Sequence, residues 1–150
     1  MILAVGPQKR ASELLEKKET MHKRQNISSG AKWEDIVGYS RAVRVGNIIE
    51  VAGTTAVDQN GQIVGENDAY EQTRFALEKI KAALKEAGAT VNDVIRTRIY
   101  VTDMSQWEEI GRAHGEYFRD VKPAATMVEV QSLIDPELLV EIEVSAIAAE

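Results

Sequence analysis

The sequence predicts an α+β domain in which a mixed β-sheet carries two helices on one of its faces. Three observations lead to this fold class. Residues 140–148 alternate between apolar and polar side chains, as a half-buried strand does. Two stretches, 69–87 and 105–119, carry apolar residues at helical spacing. Gly46-Asn47, between two apolar runs, forms a two-residue hairpin turn, and the predicted order is β-β-(β)-α-β-α-β-β.

Length and composition limit the class of protein. The 150 residues fit one domain with a core of its own, and 44% hydrophobic with 28% charged residues is typical of soluble globular proteins, for which we expect a cytoplasmic location. The absence of cysteine excludes disulfides, thiolate catalysis and cysteine metal sites. No apolar run approaches the ~20 residues that span a bilayer, so no membrane partner is expected. The net charge of −6 disfavours a general nucleic-acid binder.

Residues 1–31 are predicted to be a flexible extension, followed by a single domain over 32–150. Residues 1–30 contain six basic and three acidic side chains, so that, with −6 for the whole chain, residues 31–150 carry −9. The stretch 12–24 is compatible with a helix capped by Ser12, but its apolar face is thin. We therefore expect this segment to be mobile or loosely docked.

The first predicted hairpin consists of strands over 39–45 and 48–57. Gly53 lies inside the second strand, which indicates a bulge or the close approach of another group. Both features are common beside functional sites. A turn over 58–61 then leads to a short candidate edge strand at 62–64.

The middle of the chain predicts a helix, a strand and a second helix. Asp68 with Glu71 fits a capping box for the first helix, and Gly88 fits its left-handed end. Ser105 with Glu108 fits a capping box for the second helix. The side chains expected to face the core are Tyr70, Thr73, Leu77, Ile80 and Leu84 on the first helix, Ile95, Thr97, Ile99 and Val101 on the strand over 92–101, and Trp107, Ile110, His114 and Phe118 on the second helix.

The C-terminal part is predicted to form two strands, over 126–130 and 139–148, with the chain returning at Asp135-Pro136. The second of these is expected to be the central strand, with Ile142 buried. Its other face carries carboxylates and is too polar for a core, yet too organised for a random surface. Burial of this sheet face against other copies of the chain would use such residues, which predicts an oligomer. The polar residues concerned are Arg96, Arg98, Glu141 and Glu143.

Glu141 is the candidate catalytic residue that the pattern itself provides. The loop over 121–127 is expected to start beside it, and a carboxylate there can hold or activate a water. Tyr39 and Arg41 share one face of the first strand, where ordinary surface and a functional role are both open. His114 is interpreted first as a packed structural histidine, and it is retained as a candidate for substrate binding. Neither a phosphate-binding loop nor a metal-ligand cluster is recognisable.

Several short motifs, taken in their order and spacing, resemble the Rid/YjgF family of reactive-intermediate deaminases over residues 33–149. They are Gly38-Tyr39, Val51-Ala52-Gly53, Tyr100-Val101-Thr102-Asp103-Met104, Tyr117-Phe118, Pro123-Ala124 and Val140-Glu141-Ile142-Glu143. The resemblance implies a chorismate-mutase-like fold and a homotrimer whose sheets form a central barrel, with ligand clefts between subunits. It also implies hydrolysis of 2-imino or 2-enamino acids to 2-keto acids and ammonia, without metal or organic cofactor.

The resemblance also implies site residues. Tyr39 matches a tyrosine of the cleft, and Glu141 matches the glutamate that positions the hydrolytic water. Backbone groups near Gly53 and Met127 would line the same cleft. Ala125 departs from the family pattern, because the deaminases carry there an arginine that clamps the substrate carboxylate, and a methyl group cannot replace a bidentate cation. A second departure is Gly111, which stands where the family has an asparagine.

Arg41 is the best replacement for that missing cation. It lies two residues after Tyr39, so both side chains point the same way in a regular strand. We expect Arg41 to face the intersubunit cleft and Glu141 to face it from across the interface. The two are expected to pair when the site is empty, and an anionic ligand is expected to compete for the guanidinium.

Two classes of function follow. The first is a Rid-type deaminase with altered specificity, which acts on a small molecule in an intersubunit cleft. The second is a non-catalytic trimer that binds a small ligand or regulates. A third hypothesis is an endoribonuclease or translation inhibitor. It is disfavoured by the charge of −9 over residues 31–150 and by the lack of a catalytic histidine pair.

Overall fold

The computed structural model describes residues 6–149, apart from the side chains at positions 20–22. The helices are α1 (Pro7–His22), α2 (Lys32–Val37), α3 (Ala69–Glu86) and α4 (Trp107–Phe118). The strands are β1 (Arg24–Ile27), β2 (Ala42–Val45), β3 (Ile48–Thr54), β4 (Val94–Val101), β5 (Ala124–Glu129) and β6 (Val140–Ile147). Short 3₁₀ turns at Val91–Asp93 and Met104–Gln106 precede β4 and α4.

The six strands form one mixed sheet in the order β1-β2-β3-β6-β4-β5. All neighbours are antiparallel except β4 and β5, which are parallel. The prediction of a central C-terminal strand is confirmed, because β6 lies between β3 and β4. The expectation that the last two strands form one unit is wrong, since β4 separates β5 from β6. Two strand spacings, about 10 Å, therefore separate Glu141 from β5.

The core lies between this sheet and helices α3 and α4. Val140, Ile142 and Val144 of β6 are buried, while Glu141 and Glu143 are half-buried on the opposite face. Alternating side chains of a strand point to opposite faces, so the predicted burial of Ile142 and the predicted carboxylate face are both confirmed. The helix residues that complete this core are Ala76, Leu77, Ile80, Leu84, Ile110 and Phe118.

The ends of α3 follow the sequence signals. The Asp68 carboxylate accepts a hydrogen bond from the Glu71 backbone N–H, which satisfies one of the free donors of the first turn. Gly88 follows the helix with φ +80°, the left-handed conformation that glycine adopts without steric cost. The predicted N-cap at Asp68 and the end at Gly88 are confirmed. The capping box is not formed, because the Glu71 carboxylate bonds Arg74 and the Asp68 N–H donates to the Gly65 carbonyl.

The predicted start of α4 is wrong. Asp103, rather than Ser105, supplies the capping oxygen, which accepts from the Ser105 N–H and opens the 3₁₀ turn. Helix α4 then begins at Trp107, and no side chain caps it. The Trp107 side chain is 54% exposed instead of packing in the core. A tighter 3₁₀ turn changes the direction of the residues around it, so an α-helical spacing counted from Ser105 assigns Trp107 to the wrong side.

The N-terminal prediction needs two corrections. Helix α1 begins at Pro7, and the Ser12 hydroxyl lies inside it, where it donates to the Lys9 carbonyl. Residues 24–27 form the edge strand β1, which pairs with β2 and buries Ile27. The expectation of loose docking is therefore wrong for these four residues. The first five residues of the predicted extension lie outside the described part of the chain.

Two strand predictions also change in detail. The pairing of β4 with β6 shifts between Val94 and Arg96, so Val94 is buried and Ile95 is half exposed, the reverse of the predicted faces. A bulge of this kind inserts one residue and inverts the alternation before it. The short strand expected at 62–64 is reduced to a single bridge between Val57 and Ile63.

Candidate functional site

A β-bulge in β3 brings Gly53 against Glu141 of β6. Val51 pairs with Val144 and Thr54 pairs with Ile142, so β3 carries one more residue than β6 in this interval. A Cβ atom built on Gly53 would lie 2.2 Å from Oε1 of Glu141. The Glu141 carboxyl group therefore lies directly over the Gly53 backbone, and only glycine leaves room for it. The bulge predicted from Gly53 is present.

The Glu141 carboxyl group is half-buried and carries no ion pair within the described residues. Burial raises its pKa above 4.5, and the neighbouring Glu143 adds to the increase, while the Arg41 charge opposes it. Desolvation disfavours the charged form of an acid, so this carboxylate is a stronger proton acceptor than an exposed glutamate. It has the character expected of a general base.

Arg41 holds the backbone of the same bulge. Its Nη1 donates to the Gly53 carbonyl at 2.8 Å and to the Thr54 hydroxyl at 2.8 Å, with the Ala52 carbonyl at 3.4 Å. The Thr54 hydroxyl in turn donates to the Ala52 carbonyl. These bonds fix the guanidinium beside Gly53, at the place where Glu141 also lies.

The expected pairing of Arg41 with Glu141 does not occur. Among residues 6–149, no carboxylate oxygen lies within 4.0 Å of the Arg41 guanidinium, although its charge acts on Glu141 over a longer distance. The reason is that Nη1 is occupied by the carbonyl and hydroxyl oxygens of the bulge. Arg41 and Glu141 of one chain both lie beside Gly53, and their pairing across an interface stays a prediction.

Tyr39 lies next to the Arg41 guanidinium, as expected. Both residues precede β2, which begins at Ala42, so the predicted strand over 39–45 is too long and a shared strand face is not the reason. The Arg41 Cζ atom is 5.7 Å from the centre of the Tyr39 ring, and Nη2 is 3.5 Å from the phenol oxygen. Gly38, with φ +83°, ends helix α2 and allows the N–H groups of both Gly38 and Tyr39 to bond the Glu34 carbonyl. This turn sets where the Tyr39 side chain leaves the backbone.

Glu34 is a buried carboxylate that the sequence did not single out. It accepts hydrogen bonds from the Ser28 hydroxyl at 2.5 Å, from the Ser29 N–H at 2.9 Å and from the Ser29 hydroxyl. Burial alone would raise its pKa, but these hydrogen bonds and the charge of Arg41 together hold the pKa below 4.5. Ser28 and Ser29 thus have a structural role, since they attach the segment between β1 and α2 to this carboxylate.

Lys79 is the second residue that sequence reasoning missed. Its Nζ donates to the Thr55 carbonyl at 2.9 Å and to the Val57 carbonyl at 2.8 Å, immediately after the bulge. Burial, assisted by the Arg41 charge and opposed by Asp58, lowers the pKa of Lys79 to about 8. No signal in the sequence separates it from the other lysines of α3, because its partners are carbonyl groups more than twenty residues away.

The remaining candidates lie elsewhere in the chain. His114 is on the helix side of the sheet, with Nε2 3.0 Å from the Thr97 hydroxyl and its ring against Phe118. Burial lowers its pKa, as for a packed neutral histidine. Ala125 and Met127 lie on β5 opposite Thr97 and Ile99 of β4, so the described chain does not bring them to Glu141.

A shallow groove of about 410 Å³ extends from the site along the open face of the sheet. Tyr39 and Ala52 border both the groove and the bulge, whereas Arg41 and Glu141 lie outside the groove wall. The other residues that line it are Arg24, Asn26, Gly38, Ser40, Val43, Glu50, Val51 and Glu143.

In the part of the chain that the structure describes, no group of three or more histidine, aspartate or glutamate side chains is arranged to bind a metal ion. Over the same residues, the helices are too short or too polar to cross a bilayer.

The fold and the site define a chorismate-mutase-like α+β domain of the YjgF type. The model of the family described as endoribonuclease L-PSP, which is the YjgF/Rid family, matches residues 30–148. The chain belongs to this family. The predicted family and fold class are confirmed.

Three relatives illustrate the match. The crystal structure of Rv2704 from Mycobacterium tuberculosis, a member of the YjgF/YER057c/UK114 family, is 51% identical with a TM-score of 0.78, over 84% of this chain and 100% of that one. A RutC family protein of Pyrococcus abyssi is 42% identical over 72% of this chain and 84% of its own length. The 3-aminoacrylate deaminase RutC of Acinetobacter baylyi is 36% identical over 69% of this chain and 82% of its own length.

Proposed function

We propose that the protein hydrolyses the C–N bond of a small imino or enamino acid and releases a 2-oxo acid and ammonia. The observation that carries this proposal is the half-buried Glu141 carboxyl group over Gly53, beside the Arg41 guanidinium. The name of the Acinetobacter baylyi relative, a 3-aminoacrylate deaminase, supports an enamino acid as substrate, although an amino group on C3 would give a 3-oxo acid.

The reaction needs one proton acceptor that later donates. Water forms a bond to the imine carbon while Glu141, as carboxylate, accepts one of its protons, and the C=N electron pair moves to nitrogen. Glu141 then returns this proton to the nitrogen of the tetrahedral intermediate. The hydroxyl proton then passes through Glu141 to the nitrogen, the C–N bond breaks as the C=O bond forms, and ammonia leaves. A carboxyl group with a raised pKa suits both steps, because it accepts a proton more readily than an exposed carboxylate and can then return it.

Arg41 is proposed to bind the substrate carboxylate in place of the family arginine at position 125. Its Nε has no hydrogen-bond partner among the described residues, and Nη2 has only the long contact with Tyr39, so both remain available to an anion. Guanidinium groups bind carboxylates through two parallel hydrogen bonds. This arrangement holds the carboxylate from a different wall than in relatives with the arginine, which predicts a different substrate preference.

We further propose that the active form is a homotrimer and that Ala125 and Met127 of one copy approach the bulge of another. The support is the sheet surface, where Ile48, Ile95 and Val128 are about half exposed in a single chain. Such apolar area is usually covered by a partner. Light scattering should give about 50 kDa, three times 16.6 kDa, and a single-chain mass would contradict this arrangement. The cytoplasmic location stays a prediction.

A non-catalytic, ligand-binding trimer is the second candidate, because Ala125 removes the cation that clamps substrate in the deaminases. The test measures 2-oxo acid and ammonia released from imines that an amino-acid oxidase generates, for the wild type, Arg41→Ala and Ala125→Arg. The proposal expects activity in the wild type and a loss of roughly a hundredfold in Arg41→Ala, since ~1 Å of misplacement already has such an effect. Inactivity of the wild type on all imines, combined with a thermal shift by a carboxylate ligand, would favour the binding protein.

RNA cleavage can be assayed on the same preparation. Residues 31–150 carry a net charge of −9, which repels a phosphate backbone. His114 is turned into the helix side of the sheet, and the His22 side chain lies outside the described part of the chain. We therefore expect no cleavage of single-stranded RNA.

A further inference from the structure

Two cations share one short stretch of backbone at the end of β3. Arg41 binds the carbonyl groups of Ala52 and Gly53, and Lys79 binds those of Thr55 and Val57. The two side chains come from different parts of the fold, since Arg41 precedes β2 and Lys79 lies on α3. The bulge is therefore held from two directions by positive charge.

Neither cation is neutralised by contact with a carboxylate. Within residues 6–149, no carboxylate oxygen lies within 4.0 Å of either charged group. Glu34 and Glu141 act on Arg41 only from a longer distance, and Asp58 does the same on Lys79. An ammonium has three donors, of which Lys79 uses two, so one donor remains.

The charge on Lys79 is held at a cost in free energy. Burial disfavours the ammonium, and the positive charge of Arg41 adds repulsion, while Asp58 opposes both effects. The pKa of about 8 means that a small change in the nearby charge alters its protonation at ordinary pH.

We propose that Lys79 is a second, proton-linked cation of the ligand site, so that a small carboxylate bound at Arg41 draws a proton onto the Lys79 amine. The location of that carboxylate rests on the proposed function, but the linkage does not require catalysis. A bound anion cancels part of the field of Arg41 and attracts the ammonium directly. By linkage, the anion then binds more tightly when Lys79 is protonated.

The proton linkage makes ligand affinity depend on pH. Ligand affinity is highest below pH 8, where Lys79 is charged, and it falls as pH rises and the amine loses its proton. If the protonated form binds tenfold more tightly, binding at pH 8 takes up roughly 0.4 proton, and affinity at pH 9 is about fivefold weaker than at pH 7. A lysine that only fixes the backbone through its hydrogen bonds would give no proton uptake.

Calorimetry of pyruvate binding to the full chain tests the proposal. Titrations at pH 8 in Tris and in triethanolamine, two cationic buffers with different ionisation enthalpies, give the number of protons taken up. The wild type should take up roughly 0.4 proton.

Lys79→Met should take up none and bind more weakly at pH 7. Lys79→Arg keeps the charge, so it should bind without proton uptake and without loss of affinity up to pH 9. Lys81→Met, an exposed position on the same helix, is the matched control and should behave as the wild type.

The outcomes separate this inference from the proposed function. Deaminase activity without proton uptake overturns the linkage alone, and proton uptake without activity overturns only the hydrolysis. Proton uptake that persists in Lys79→Met assigns the linked group elsewhere and overturns the proposal. Absence of pyruvate binding to the wild type also overturns it. If Lys79→Met fails to fold, the wild type and Lys79→Arg still decide the question.

Discussion

Gly53 and Glu141 define the site at the scale of single residues. The Glu141 carboxyl group fills the space that a side chain at position 53 would occupy. Its Oε1 atom lies 2.2 Å from the position of a Cβ atom built on Gly53. A methyl group there cannot be accommodated without moving Glu141 or opening the bulge. The identity of residue 53 is therefore set by the position of the proposed base.

Gly53→Ala is expected to destabilise the fold by ~1–3 kcal/mol through overpacking and to remove most deaminase activity. Thermal unfolding and the imine assay measure both effects. Gly111→Ala is the matched control, because a Cβ atom there meets nothing within 4 Å and the residue lies inside α4. Replacing a helical glycine by alanine should stabilise by ~0.5–1 kcal/mol. Equal behaviour of the two variants would show that Gly53 does not exclude a side chain.

Glu141 also makes stability depend on pH. Burial raises the pKa of its carboxyl group in the folded state above the unfolded value near 4.5, so the folded protein holds this proton more firmly. The contribution of Glu141 to the free energy of unfolding is fully present below the unfolded pKa, and it is lost as the pH rises through the pKa of the folded state. Glu141→Gln should remove this dependence and should be at least as stable as the wild type at pH 7. Chemical unfolding across pH 4–8 measures it, and a large loss of stability in Glu141→Gln at pH 7 would contradict it.

Strand β6 is the element on which the others pack. Ile142 is fully buried between the sheet and the helices, and truncation leaves a cavity that its neighbours fill only in part. Ile142→Ala should therefore lower the free energy of unfolding by ~2–5 kcal/mol. Ile36→Ala on α2 removes the same atoms from a side chain that is 70% exposed and should have a much smaller effect. Similar values for the two variants would show that Ile142 does not face the core.

Helix α1 and strand β1 are expected to differ in how much each contributes to the stability of the fold. The described side chains of α1 are exposed, including Leu14 and Leu15, whereas β1 pairs with β2 and buries Ile27. Deletion of residues 1–20 should leave the melting temperature nearly unchanged. Deletion of residues 1–27 should lower it by several degrees, because β2 then becomes an edge strand and Ile27 is lost. A large decrease in the first deletion would mean that α1 packs on the domain.

Periodicity predicted some of these elements well. The alternation in β6 and the apolar stripe of α3 are long, so local pattern and burial agree over many residues. The errors occur where a single residue changes the count, as at the bulge after Val94 and the 3₁₀ turn before Trp107. Strand order is not a local property either, and the parallel pairing of β4 with β5 leaves no signal in the alternation of either strand.

The site was predictable to a similar degree. The spacing of Tyr39 and Arg41 and the family resemblance at Glu141 and Gly53 pointed to four residues that lie close together in one chain, whereas Arg41 and Glu141 were expected to meet across an interface. Lys79 was not predictable, because its partners are backbone carbonyls of a distant loop. Glu34 was not predictable from the sequence, because neither this residue nor Ser28 and Ser29 stand out until the turn after β1 joins them.

At the scale of the whole molecule, the fold places the Glu141 carboxyl group and the Arg41 guanidinium beside one bulge of the sheet, and hydrolysis of a C–N bond is the reaction that we propose for this site. Helices α3 and α4 cover one face, and the other face carries the groove, Glu143 and the apolar residues that a further copy would cover. The proposed hydrolysis depends on Glu141 acting as a base on water. A Glu141 that is only one more polar residue of this face would not support it.

The rate of imine hydrolysis in Glu141→Gln, relative to wild type and to Glu143→Gln, tests this most directly. Glu143 is the matched control, since it lies two residues away on the same strand and face and bonds Arg98 and Tyr100 instead of facing the bulge. If Glu141 is the general base, Glu141→Gln should lose ~10²–10⁴-fold in kcat, whereas Glu143→Gln should keep near wild-type activity, with both variants folded. Equal activity of Glu141→Gln and the wild type would contradict it.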